Sequence, residues 1–236
     1  MFPLRDINPT RITPVVTLAL IAVNIAVFFL VQSGGSVEDQ EELIYERAAI
    51  ACEVTTGAPL GVEEIVGDVC LPGAQSPIFP NKNVILALFT SMFLHGSVAH
   101  VLFNMWFLWI FGNNVEEAYG HVGYLLLYLT GGLAATGAYI ALNQDATVPL
   151  VGASGAIAVA LGAYAVLFPS HRVLSFVGWF LVPVPAAIFL VIWFVLQFVA
   201  VQTGVAWEAH AGGFVFGALV SLLLRSRLLR KLGAGY

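Results

Sequence analysis

Six apolar runs, each bounded by polar connectors, constrain this chain more than any other feature. They run from Thr13 to Val31, Ser97 to Phe111, Val122 to Leu142, Ser154 to Phe168, Pro183 to Val201 and Trp207 to Leu224. Most are long enough to cross ~30 Å of hydrocarbon at 1.5 Å per residue. Hydrophobic residues make up 59% of the 236 and charged residues only 10%, against ~25% charged in soluble domains. The first run is longer than a usual signal-peptide core, and Gln32-Ser33-Gly34-Gly35 offers no clear cleavage site, so it reads as a retained span. The expected fold is an all-α membrane protein of six transmembrane helices with a long first outer loop.

That loop, 33–83, is rich in Asp and Glu, and residues 37 to 52 could form a surface helix before Pro59, Gly61, Pro72, Gly73, Pro77 and Pro80 break the pattern. Val84 to Leu94 reads as an element at or near the interface, and Glu116 and Glu117 as the turn after the second span. With the N-terminus inside, the inner segments hold Arg5, Arg11, Arg172, Arg225, Arg227, Arg230 and Lys231, and the outer ones only Arg47 and Lys82. This asymmetry puts both termini on the cytoplasmic side. The organisation is then a cytoplasmic segment 1–12, a membrane domain 13–224 and a basic cytoplasmic tail 225–236, in the cell membrane. Cys52 and Cys70 fall outside; whether they are bridged is open. His121 and His171 lie in inner loops and read as solvated.

Under this count the second, fourth and sixth helices all begin at the outer face. They carry His95, His100 and Asn104, then Ser154, then His210. The fourth helix is short for a bilayer, so the chain before Ser154 must descend as irregular backbone shielded by protein or lining a wet cavity. Ser154, Ala158 and Gly162 share one helical face, and His210, Gly213 and Gly217 another. Small residues let two backbones approach closely, which a serine and a histidine on different helices need in order to touch.

These residue types suit acyl transfer. Ser154 would attack a peptide carbonyl while His210 takes its proton and later delivers it to the leaving amine. His100 and Asn104, one turn apart on one face, and the Ser154 backbone N–H at a helix start would face the oxyanion. His95 is off that face and is assigned to the turn entering the helix. No Asp or Glu lies near these elements except Glu208 and the loop acids, so a Ser–His dyad is expected rather than a triad.

The pattern His95-Gly-x3-His100-x3-Asn104, then Gly152-x-Ser154-Gly155, then Ala209-His210-x2-Gly213-x3-Gly217 resembles the rhomboid intramembrane serine proteases. The resemblance implies Ser154 as nucleophile, His210 as base, and His100 and Asn104 as oxyanion contributors. Gly152 falls beside the oxyanion and substrate-binding groups, and Gly155, Gly213 and Gly217 give structural support. It also implies transmembrane protein substrates entering laterally from the lipid bilayer. Two positions depart from the pattern. Leu86-Ala87 stand where many members have a Trp-Arg pair, and Ala158 stands where some have an aromatic that stacks on the histidine. What orients His210 is therefore open.

Other classes fit less well. No basic patch interleaved with aromatics argues for nucleic acid. No metal or cofactor is expected, since His95 and His100 are poorly spaced for one ion and no HExxH motif occurs. A transporter would usually place ionisable residues inside its spans. A rhomboid-like pseudoprotease that binds membrane clients without cutting them is the alternative, and retention of Ser154 and His210 argues against it.

Overall fold

The computed structural model describes residues 1–71, 76–199 and 204–233. Pro72 and Gly73, expected to break the outer loop, lie outside the described residues, as do Val201, the expected end of the fifth run, and the last three residues of the tail.

In chain order the elements are β1 (Phe2–Asp6), α1 (Val15–Ala26), α2 (Val37–Arg47), α3 (Ala51–Thr56), α4 (Val62–Gly67), α5 (Val84–Thr90), α6 (Val98–Tyr119), α7 (His121–Leu142), α8 (Ser154–Leu167), β2 (Arg172–Val177), β3 (Phe180–Pro185), α9 (Ala186–Val199) and α10 (Trp207–Lys231). A wider π-helical turn, Val27–Gln32, extends α1. Among the described residues three helices are long and apolar enough to cross a membrane: Val15–Gln32, α7 and α10. A fourth is the bent pair of Val84–Phe93 with α6, which turns by 77°; α8 and α9 are shorter apolar helices.

Helix α8 is the centre of the bundle. Nearly every residue from Ala156 to Leu167 is buried, as expected of a helix that is apolar all round. Its closest neighbour is α10, and the small residues explain why. A Cβ on Gly217 would fall on the Val159 carbonyl, and one on Gly162 on the Phe214 carbonyl. The two backbones are in direct contact, so no side chain fits between them.

Several expected boundaries shift. Glu116 and Glu117 do not form a turn: α6 continues through them to Tyr119 and ends at Gly120, φ +74°. Glu116 is fully buried because its carboxylate caps the start of α1, accepting from the backbone N–H of Val16 (2.9 Å) and Thr17 (2.8 Å) and from the Thr17 hydroxyl (2.6 Å). The first N–H groups of a helix have no partner within it, and a carboxylate there also matches the helix dipole. Helix α10 likewise runs past Leu224 to Lys231. Its basic residues are good helix formers, and Lys231 Nζ donates to the Tyr119 carbonyl at the end of α6 (3.3 Å).

The protein is not all-α. Strands β1, β2 and β3 form an antiparallel sheet in that order at the end of the bundle where α8 stops. Residues 172–177, rich in Val, Leu and Phe, suit a pleated strand. Pro183 and Pro185, expected at the head of the fifth helix, belong to edge strand β3, where a missing N–H is tolerated. Nor are the two histidines expected in inner loops merely solvated. His171 is buried, stacks on Phe168 (4.7 Å) and meets the Tyr164 hydroxyl at 3.1 Å. His121 lies 2.6 Å from Glu116.

Residues 37–52 do not form one helix either. Helix α2 opens with a Ser36–Asp39 capping box, and the chain then extends through Ala48–Ile50 so that Ala49 pairs with Leu150. Cys52 and Cys70 are joined by a disulfide. Beside them Lys82 Nζ lies 2.5 Å from Glu53 Oε2, with both side chains almost fully buried. Burial pushes the Glu53 carboxyl up and the Lys82 ammonium down, so both charged forms pay a desolvation cost that their mutual attraction offsets.

Candidate active site

Ser154 is the first residue of α8, and His210 lies one turn into α10. Their helices touch through Gly155 and Gly213: a Cβ on Gly213 would meet the Gly155 carbonyl. This closeness leaves His210 Nε2 2.8 Å from Ser154 Oγ, within the range of a nucleophile–base hydrogen bond.

Helix α6 brings the other polar groups. Its N-cap Ser97 accepts from the His100 backbone N–H (3.1 Å), which starts the helix where His100 and Asn104 face inward. His100 Nδ1 accepts from the Gly96 backbone N–H (3.3 Å). Nε2 is therefore the protonated nitrogen and a donor. Asn104 is buried and its amide nitrogen has no partner among the described residues. Ser154, His210, His100, Asn104 and Gly152 all line one cavity of about 720 Å³.

Gly152 has φ +124°, a conformation L side chains rarely adopt. A Cβ there would lie 2.8 Å from His100 Nε2 and 3.4 Å from Ser154 Oγ. Glycine thus keeps open the space between the serine and the donors. His95 does not line this cavity. It is fully buried, packs its ring edge-on against His100 (5.1 Å), and is held through its backbone by Gln32.

Three residues of the site were not anticipated. Ser91 braces the segment before Ser154: its hydroxyl accepts from the Ala49 N–H (2.5 Å) and its carbonyl accepts from Gly152 N–H (3.0 Å). Leu150 N–H in turn donates to the Ala49 carbonyl (2.8 Å). Segment 33–83 is thereby stitched to the backbone that leads into the site. The other two are on α9. Gln197 Oε1 lies 2.8 Å from His210 Nδ1, and the Trp193 ring is tilted over the His210 ring at 6.1 Å. Ala158 is instead buried between α8 and α10, where its small size lets Gly213 approach. The only readable signal for Gln197 was a lone polar residue in an otherwise apolar run.

A serine and histidine in hydrogen-bond contact at the head of a buried helix, inside an apolar bundle, define a membrane protein with serine-hydrolase geometry. Residues 82–227 match the Rhomboid domain. The chain belongs to the rhomboid family. It is 33% identical over 137 residues to the "Rhomboid protease GluP" of Bacillus subtilis, a match covering 58% of this chain and 25% of that protein. It is 30% identical over 143 residues to "Rhomboid protein 1, mitochondrial" of Saccharomyces cerevisiae, covering 57% and 40%. Its match to "Presenilin-associated rhomboid-like protein A, mitochondrial" of Danio rerio is 33% over 94 residues, covering 39% and 24%. The matched regions are thus a quarter to two-fifths of these relatives' lengths.

Proposed function

We propose that this protein is an intramembrane serine endopeptidase that cuts membrane-protein substrates in or near their transmembrane segments. The observation carrying this reading is the 2.8 Å contact between Ser154 Oγ and His210 Nε2 in a cavity walled by α6, α7, α8 and α10. Six helices cross the bilayer in this reading: α1 with its extension, α6, α7, α8, α9 and α10. Helix α8 is ~21 Å long at 1.5 Å per residue, so Ser154 lies below the outer surface. The basic residues favour both termini inside: Arg11 bonds the Leu232 carbonyl and Arg225 the Val166 carbonyl, at the end of the bundle opposite Ser154. Residues 1–12 and 225–236 are the cytoplasmic segments, and 33–83 the outer loop of the membrane domain, in the cell membrane.

In the first half-reaction Ser154 Oγ attacks the scissile carbonyl and His210 Nε2 takes its proton. The His100 Nε2–H, the Asn104 amide and the Ser154 backbone N–H are the donors for the oxyanion. His210 passes the proton to the leaving amine, which departs, leaving an acyl-Ser154. Water then attacks the ester and gives its proton to His210; the tetrahedral intermediate breaks its bond to Oγ, the new carboxyl product leaves, and His210 returns the proton to Ser154. The cavity admits that water to a site otherwise walled by apolar helices.

The test is cleavage of a reporter transmembrane substrate in liposomes. Ser154→Ala and His210→Ala should each reduce cleavage to background while leaving expression and detergent-state folding intact. Unchanged cleavage by Ser154→Ala would overturn the mechanism. A wild type that binds the substrate without cutting it would establish the client-binding pseudoprotease instead.

A further inference from the structure

We infer that Gln197 is a positioning residue: its side-chain amide transmits a fixed donor–acceptor order from the Trp193 backbone carbonyl to the Ser154 hydroxyl and so sets the tautomer of His210. This rests on the protease reading above. Gln197 Nε2 donates to the Trp193 carbonyl at 3.1 Å, one turn earlier in α9. A backbone carbonyl can only accept, so the nitrogen of the amide must face it. The flipped amide would oppose two oxygens. Oε1 is then the atom that meets His210 Nδ1 at 2.8 Å, and Oε1 only accepts, so Nδ1 must carry a proton. In a neutral imidazole this leaves Nε2 with its lone pair. Nε2 faces Ser154 Oγ at 2.8 Å and accepts the hydroxyl proton. No step in this sequence leaves a choice open.

Trp193 and Gln197 are four residues apart, on one face of α9. One turn therefore supplies both the ring against His210 and the acceptor behind it. An amide also suits the place. A carboxylate would stabilise the imidazolium more strongly, but an ionised acid at membrane depth is costly. Glutamine fixes the tautomer without adding net charge. It accepts from Nδ1–H before and after proton transfer, so the bond is kept throughout the cycle.

The experiment compares wild type, Gln197→Leu and Gln197→Glu in liposomes, by cleavage kinetics across pH and by 15N chemical shifts of the His210 ring in the resting protein. Wild type should show a protonated Nδ1 and an unprotonated Nε2. Gln197→Leu should show mixed tautomers and a kcat lower by roughly tenfold to a hundredfold, with KM little changed. Gln197→Glu keeps an acceptor, so it should recover much of kcat. Its acidic limb in kcat/KM should move to higher pH, because a neighbouring negative charge favours the imidazolium. A purely structural glutamine would move neither the limb nor the tautomer. Gln197→Leu within twofold of wild type, or unchanged ring shifts, would overturn the assignment. A wild type that neither cleaves nor reacts with serine probes would overturn the protease reading itself, and this assignment with it.

Discussion

Asn104 shows what a single side chain contributes. Its amide nitrogen is buried and unpartnered among the described residues, and leaving a buried donor unsatisfied costs ~1–3 kcal/mol. A site accepts that cost where a partner arrives with the substrate. Asn104→Ala should therefore lower kcat by roughly a hundredfold with little change in KM, the pattern of a bond made in the transition state. Steady-state cleavage kinetics in detergent would check this, and an effect on KM alone would assign Asn104 to substrate binding. At this scale the sequence was legible where spacing alone carries meaning: His100 and Asn104 fall on one face, and Ser154 heads a helix. It marked Gln197 only as a lone polar residue in an apolar run, because nothing in a linear order says that residue 197 lies behind residue 210. Ala158 pointed to the gap without naming what fills it.

Helices α8 and α10 act as a unit because glycine removes the side chains between them. A Cβ on Gly217 would have to displace the Val159 carbonyl, which is backbone and cannot move without moving α8. Gly217→Val should force the helices apart, cost at least ~1–3 kcal/mol of overpacking and lengthen the Ser154–His210 contact. Cleavage should fall to near background, with a lower unfolding midpoint in detergent; full activity would show that this approach is not required. The small-residue stripes were readable from their i, i+3 and i+7 spacing. The ends of the elements were not. Glu116 looks like a turn residue because it is charged, yet it is buried as the cap of a helix a hundred residues away. The strands were hidden for a similar reason: residues 172–185 are as apolar as a span, and what makes them a sheet is the pairing of β2 with β3 and of β2 with Phe2–Asp6.

On the scale of the whole molecule, the acidic segment 33–83 is a support for the site. Ala48–Cys52 are buried, the disulfide joins Cys52 to Cys70, and Ala49 is tied to both Leu150 and Ser91. The Lys82–Glu53 pair lies beneath. Lys82→Met would leave the Glu53 charge buried and unpaired, at a cost of about 3–5 kcal/mol. Lys82→Met with Glu53→Leu should recover most of that loss. Thermal unfolding in detergent of both variants would check it, and equal destabilisation of single and double variants would contradict it. Its acids and prolines read as an extramembrane loop with partial structure of its own; the small core around Ile50, Cys52 and Leu60 was not readable, because it forms from residues far apart in the chain.

The central claim is that Ser154 is a nucleophile activated by His210. A serine-reactive fluorophosphonate probe tests it directly, with mass spectrometry of the labelled peptide to locate the adduct. The account predicts a single adduct on Ser154 in wild type, with none in Ser154→Ala and strongly slowed labelling in His210→Ala. Labelling that persists in Ser154→Ala, or a folded wild type that does not react at all, would contradict it.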